Sequence, residues 1–303
     1  MTTVTIRVPG TTANIGPGFD CLGAALTLYN QFRFSPLETG EETLKISVTG
    51  SEADRVVTDD SNLSYQAFVK LYDWLGQTPP PVAIDIELGV PLARGLGSSA
   101  TAIVGGLMGA NQLAGEPLSQ AEVLQLAIDI EGHPDNVVPA LLGGAHLAAT
   151  HGEEWTISDI PWHPEVVPVV AIPDFELSTA EARKVLPTEY SRADAIFNAA
   201  HLGLLLRGLE TGKGDWIAAG IADRIHQPYR QTLISGYDAV RSAALAAGAY
   251  GMAISGAGPT LLALASPEAA SGVAEAMASA WQQAGIIAKG RSLQIDPTGA
   301  TIA

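Results

Sequence analysis

The sequence predicts an α/β or α+β protein, in two domains or one large one. Three observations lead there. Its 303 residues are enough for two hydrophobic cores or one large one, and 47% of them are hydrophobic, alongside 32 glycines and 19 prolines. Runs that alternate polar and apolar residues, the mark of a half-buried strand, are interleaved with runs of helical period. These runs fall into two groups that part near Pro161, dividing the chain into residues 1–160 and 161–303.

In the first group, residues 3–8 alternate and read as a strand. The next stretch, PGTTANIGPGFDCLG from Pro9 to Gly23, holds four glycines and two prolines in fifteen positions and reads as a shaped loop. Asn14 and Asp20 within it are turn formers or ligand contacts. Strands follow at residues 26–35 and 43–49, joined by an acidic turn with Glu38, Glu41 and Glu42. Leu63, Ala67, Leu71 and Leu75 share one face of a helix over residues 62–75, with Ser61 as its N-cap. Residues 82–88 alternate again.

The stretch PLARGLGSSA, from Pro91 to Ala100, joins that strand to a helical run starting near Ser98. Gly95 and Gly97 lack a Cβ, so the backbone there can turn sharply and approach a ligand. Ser98, Ser99 and Ala100 then open a helix whose first N–H groups have no internal partner and carry the positive end of the dipole. Such a loop is an anion cradle; a ligand-free turn is the other reading. A Walker A loop would need Gly-Lys-Ser/Thr, and no lysine follows Gly97. Gly95, Gly97 and Ala100 fit G-x-G-x-x-G/A, but Gly89 to Arg94 separate them from the strand, and the nearest later acid, Glu116, lies in a turn.

Beyond the cradle, Ile103, Leu107, Ala110 and Ala114 mark one helical face, while Gly105, Gly106 and Gly109 mark another suited to close packing. Ser119 and Glu122 form a capping-box pattern for the next helix, which Gly132 and Pro134 end. Glu131 falls at that C-terminus, where the dipole disfavours a carboxylate. It is therefore either solvated or compensated by a cation such as Mg²⁺. His133 there reads as a C-terminal cap when taken alone.

Strands at residues 144–150 and 155–158 close the first group; the second supplies strands at 166–172 and 261–265, helices at 189–209, 237–247 and 267–284, and a last strand within 286–295. The apolar stretch at 248–265 is broken by Ser255, Gly256, Gly258 and Pro259 and is no membrane span. A formal charge of −16 argues against nucleic-acid and anionic-membrane partners. It also means that any anionic ligand must be held by local donors. The one cysteine, Cys21, excludes an internal disulfide and a cysteine zinc site. With no signal-peptide pattern at the start, a cytoplasmic location is expected.

The run Pro-x-x-x-Gly-Leu-Gly-Ser-Ser-Ala resembles the second motif of the GHMP kinases, which phosphorylate small molecules. Residues 14–23, NIGPGFDCLG, resemble the first motif, and residues 253–260, AISGAGPT, the third. The resemblance implies an N-terminal mixed α/β nucleotide-binding domain and a ferredoxin-like C-terminal domain. It implies ATP on Pro91, Leu92, Ala93, Arg94, Gly95, Leu96, Gly97, Ser98, Ser99, Ala100 and Thr101, with Asn62 at the adenine and Mg²⁺ on Ser99 and Glu131. Finer features, including Thr179-x-x-Ala-Arg-x-x-Leu-Pro and residues 131–136 (EGHPDN), are similar to the branch that phosphorylates L-homoserine. That branch implies substrate contacts from Asn14, Asp20, His133, Arg183 and Arg230. The catalytic segment would be Glu131, Asp135 and Asn136, with Asn136 facing the reacting hydroxyl and Asp135 supporting the loop. Other readings are a mevalonate-, shikimate- or sugar-type kinase of the family, or a binding protein that has lost phosphoryl transfer. Intact Ser98, Ser99 and Glu131 argue against the last. The oligomeric state stays open, a homodimer being one option.

Overall fold

A computed structural model describes residues 3–38, 40, 43–152 and 154–302; Glu41 and Glu42 of the expected acidic turn lie outside them. The first domain runs β1 (Val4–Asn14), β2 (Gly18–Pro36), β3 (Leu44–Gly50), α1 (Leu63–Trp74), β4 (Val82–Leu88), α2 (Ser98–Leu113), α3 (Gln120–Glu131), α4 (Pro134–Leu142), β5 (Ala145–His151) and β6 (Glu154–Asp159). The second runs β7 (Val167–Pro173), α5 (Thr179–Lys184), α6 (Arg192–Thr211), α7 (Gly214–Gly220), α8 (Gln227–Arg230), α9 (Tyr237–Ala246), β8 (Gly251–Ile254), β9 (Leu261–Ala265), α10 (Pro267–Gln283) and β10 (Ala288–Ser292). A short β11 (Thr301–Ile302) closes the chain.

In the first sheet the strand order is β11-β1-β2-β4-β3, with β5 and β6 added beside β2. Only β3 and β4 pair in parallel, and α1 provides the crossover that a parallel pair requires. Helices α1 to α4 cover one face of this sheet, burying Phe32, Phe34, Phe68 and Leu107 between them. The glycine face of α2 packs as expected. A Cβ on Gly105 would lie 2.5 Å from the Phe32 ring, and one on Gly109 2.3 Å from the Phe34 ring.

The second sheet is fully antiparallel in the order β10-β7-β9-β8, the ferredoxin-like arrangement that the motif pattern implied. Its outer face carries α9 and α10 around Trp281, Met277 and Val240. A third cluster, with Leu22, Leu26, Leu96, Leu205, Ile217 and Leu262, joins the two domains. The chain end does not stay with the second domain. Ile295 bridges to Leu26, and β11 pairs with β1, so the last residues return to the first sheet.

Two local expectations are corrected. Residues 9–23 are mostly strand, with a tight turn over residues 15–17, because positive φ at Asn14, Gly16 and Asp20 lets β1 and β2 continue as one hairpin through the glycines and prolines. The N-cap of α1 is Asn62, one residue after Ser61. Its Oδ1 accepts from the N–H groups of Ser64 and Tyr65.

Candidate active site

The hairpin end is shaped by a register break. Asn14 pairs with Gly18 and Ala13 with Gly23, so residues 19–22 bulge out of the ladder. Asn14 locks the bulge in place. Its Oδ1 accepts the Asp20 N–H at 2.9 Å, and its Nδ2 donates to the Gly256 carbonyl at 2.7 Å, in the third-motif loop. Asp20, held at φ 57°, presents both carboxylate oxygens to Arg183 at 2.8 and 2.9 Å. Arg183 sits in the last turn of α5, whose capping box joins Ser178 and Glu181.

The glycine loop turns through positive φ at Ala93, Gly95 and Gly97. Gly95 also needs its missing Cβ, which would lie 2.2 Å from the Ser255 carbonyl oxygen, so the second and third motifs meet backbone to backbone. Gly97 faces Thr11 equally closely, at 2.0 Å. As N-cap of α2, Gly97 offers no side chain to the first N–H groups of the helix, which leaves them available to an anion. Arg94 plays another part than its place in the loop suggested. Its guanidinium donates to the carbonyls of Pro173, Leu92 and Asp174 and pairs with Glu176 at 3.1 Å and Glu52 at 3.6 Å. It borders the first cavity, and through these contacts it fastens the loop to the second domain.

Glu131 ends α3 as predicted, before Gly132 in the left-handed C-cap. Its carboxyl is pushed above the usual range, chiefly by burial, against the opposing charge of His133 and a hydrogen bond from Ser99. Ser99 Oγ donates to Glu131 Oε1 at 3.0 Å, so the helix start and the helix end bring two hard oxygen ligands together. Among the described residues no group of three His, Cys, Asp or Glu side chains could hold a metal ion. Two protein oxygens suit Mg²⁺, which usually completes its shell with phosphate and water.

Pro134 is the first residue of α4, so the residue that stops one helix starts the next. In its first turn Asp135 and Asn136 are both buried, at 3% and 9% exposure, and both border the cavity. Asp135 Oδ1 accepts from His133 Nδ1 at 2.7 Å. Burial would lower the His133 pKa, but the bond to Asp135 and the charges of Asp135, Glu131 and Asp20 outweigh it, and the imidazole sits above its ordinary value. Asn136 Oδ1 accepts from Thr11 Oγ1 at 2.8 Å and lies beside Gly97 of the cradle.

Two adjoining cavities complete the site. The first, of about 320 Å³, collects Asn14, Asp20, Arg183, Arg230, Glu131, His133, Asp135 and Asn136 opposite the glycine loop. The second, of about 340 Å³, has apolar walls from Phe32, Val57, Leu63, Ile86 and Leu88. Ala93, Ser98 and Ser99 border both, which puts the cradle at their junction. Asn62 lines the second cavity, yet its side chain is committed to the α1 cap and to the Val57 carbonyl at 2.8 Å. Leu92 also borders that cavity. Pro91, Leu96, Ala100 and Thr101 line neither; Leu96, Ala100 and Thr101 are buried behind the loop.

Arg230 is the site's most unusual group. It is 1% exposed and donates to the carbonyls of Ala182 at 3.2 Å and Gly256 at 3.1 Å. Among the described residues no carboxylate pairs with it within 4.0 Å. Burial first, then the charge of Arg183, lowers its pKa to about 10. Thr11, Glu52 and Glu176 were not predicted from sequence. Each acts through a partner far away in the chain, so no local signal marks it.

An anion cradle between a nucleobase-sized apolar cavity and a charged cavity, on this pair of sheets, defines a small-molecule kinase. The chain belongs to the GHMP kinase family: the model of the GHMP kinases N terminal domain matches residues 62–144 and that of the GHMP kinases C terminal matches residues 205–283. Within the family its relatives are homoserine kinases. That of Trichormus variabilis is 71% identical over 301 residues, 99% of each chain, and that of Trichodesmium erythraeum is 66% identical over 300 residues, 99% of this chain and 98% of the relative. The crystal structure of homoserine kinase from Cytophaga hutchinsonii superposes with a TM-score of 0.90 at 28% identity, covering 100% of this chain and 98% of that one. Among the described residues no helix is long and apolar enough to cross a membrane.

Proposed function

We propose that the chain transfers the γ-phosphoryl group of MgATP to the side-chain hydroxyl of L-homoserine, giving O-phospho-L-homoserine and ADP. The observation that carries the substrate is Arg230, a fully buried cation with no carboxylate partner among the described residues, 1% exposed on the wall of the first cavity. A buried charge needs a partner. The carboxylate of an amino acid supplies one, and the guanidinium fork of Arg183 joins it. Asp20, already paired with Arg183 at 2.8 Å, takes the substrate ammonium. Only a zwitterionic alcohol meets all three groups.

The nucleobase occupies the apolar cavity, and the phosphates lie on the first turn of α2 between Gly97 and Ser99. Ser99 and Glu131, whose oxygens meet at 3.0 Å, would hold Mg²⁺, which would supply positive charge against the negative charge of the phosphates. Phosphoryl transfer depends mostly on positioning and charge stabilisation. Asn136, at the cradle, orients the homoserine hydroxyl. The new bond joins that oxygen to the γ-phosphorus as the bond to the β-phosphate oxygen breaks. An amide cannot take the proton, and Asp135 Oδ1 already accepts from His133 and Asn136. The proton leaves late, to a phosphate oxygen or to water. One cysteine and no disulfide partner fit a reducing cytoplasm.

A coupled ATP-consumption assay across L-homoserine, mevalonate, shikimate and galactose tests the assignment. Turnover confined to homoserine is expected; preference for any of the others would overturn it.

A further inference from the structure

The bulge at residues 19–22 delivers two consecutive side chains to the arginine pair, and only Asp20 has been given work. Phe19, beside it, lies under both guanidiniums. Arg230 Cζ is 4.9 Å and Arg183 Cζ 5.6 Å from the centre of its ring. The face of an aromatic ring is the negative part of its quadrupole, so it attracts a guanidinium, the more strongly where water is excluded. The two arginines repel each other, and Asp20 hydrogen-bonds only Arg183. For Arg230, whose hydrogen bonds go to the Ala182 and Gly256 carbonyls, the ring is a further negative surface in direct contact.

The ring is itself held. His226, 0% exposed, stacks on it with centroids 5.2 Å apart and planes 20° from parallel. His226 Nε2 donates to the Gly16 carbonyl at 2.7 Å, at the hairpin turn, while its Nδ1 is buried without a partner. Asp223 fixes this end of α8 by accepting the backbone N–H groups of Ile225, His226 and Gln227. The same element that carries Arg230 thus grips the turn that carries Phe19.

We propose that Phe19 is a positioning residue for substrate binding: its π-face holds the Arg183 and Arg230 guanidiniums together and correctly tilted before the carboxylate of the amino-acid acceptor arrives. This rests on the reading that the arginine pair binds that carboxylate. A side chain of this kind acts on substrate affinity and leaves phosphoryl transfer alone. Replacing the ring by a similar-sized apolar side chain keeps the packing and removes the quadrupole.

The test uses the full-length protein with Phe19→Leu, Phe19→Tyr, and 3,4,5-trifluorophenylalanine at position 19, which keeps ring shape while withdrawing charge from the face. Phe19→Leu should raise KM for homoserine about tenfold and the trifluoro ring about threefold to tenfold, with KM for ATP and kcat within about twofold, as two partly desolvated cation–π contacts require. Phe19→Tyr, whose ring attracts cations as well, should stay close to the parent. The trifluoro ring keeps the parent's shape and packing, and a thermal melt matching the parent's is expected, so its result stands even where Phe19→Leu is unstable. Equal KM for homoserine in the trifluoro variant and the parent would overturn the proposal, as would equal rises for Phe19→Tyr and Phe19→Leu. Arg183→Ala serves as the control. If it raises KM for homoserine while the ring variants do not, Phe19 alone is misassigned. If it leaves that KM unchanged, the arginine reading falls and the proposal with it.

Discussion

Arg230→Met separates a buried binding group from a structural strut. In the unliganded protein the guanidinium is 1% exposed, and burial above all lowers its pKa to about 10. The charged form is therefore about 3 kcal/mol less favourable in the folded chain than in the unfolded one. For a depressed base the penalty is complete below the folded pKa of about 10, hence at neutral pH, and fades as pH rises above it. Methionine removes it, fills most of the volume, and leaves the Ala182 and Gly256 carbonyls unmet at about 1 kcal/mol each. The net change in stability is within about 1 kcal/mol, whereas truncating an ordinary large core side chain costs about 3 to 5 kcal/mol. Substrate binding changes far more. Losing one partner of a buried charge pair costs about 2 to 5 kcal/mol, so KM for homoserine should rise at least about 30-fold, with KM for ATP nearly unchanged. Thermal melts with and without homoserine, beside steady-state kinetics, measure both quantities. A variant that loses several kcal/mol of stability yet keeps its KM for homoserine would refute the reasoning.

Glu131→Gln should cut kcat about 10²-fold or more and raise the Mg²⁺ concentration needed for half-maximal rate, because one charge-stabilising group is lost; near-normal rate and metal dependence would make Glu131 only a helix end. Asp135→Asn should cost less than about tenfold in kcat and leave the acidic limb of the pH profile in place, since a general base is worth about 10² to 10⁴. A thousandfold loss together with disappearance of that limb would make Asp135 the base. In an NMR titration His133 should titrate above the ordinary histidine value in the parent and fall below it in Asp135→Asn, where burial acts with less opposition. Because the folded pKa of His133 is raised, its stabilising contribution is complete below the unfolded value and is lost as pH rises through the folded one. Asp135→Asn should therefore destabilise more at pH near 6 than at pH near 9, and an equal loss at both would contradict the pairing.

Features written in a few consecutive residues were legible. The Ser119–Glu122 capping box, the cradle opening α2, and the glycine face of that helix all appear as the local pattern says. The hairpin was not, because density of glycine and proline reads as loop unless the register is known; here Asn14 and Asp20 absorb the positive φ that lets strands continue. Residues 131–136 showed a helix end but hid the start of α4, since Pro134 serves both. Arg94 looked like a phosphate ligand by position. Its acceptors, Pro173 and Asp174, lie about 80 residues away and are invisible to any local reading. The same distance hid Thr11, 125 residues from the Asn136 it supports.

The central claim is that the acceptor is recognised as a zwitterionic alcohol, and analogues that each lack one charge test it most directly. L-homoserinol lacks the carboxylate that Arg183 and Arg230 await, and 4-hydroxybutyrate lacks the ammonium that Asp20 awaits, while both keep a primary hydroxyl. Measured side by side with L-homoserine at saturating MgATP, each should lose about 10² or more in kcat/KM, as expected when a buried charge is left unpaired. Turnover of either analogue within a few fold of homoserine would contradict the account.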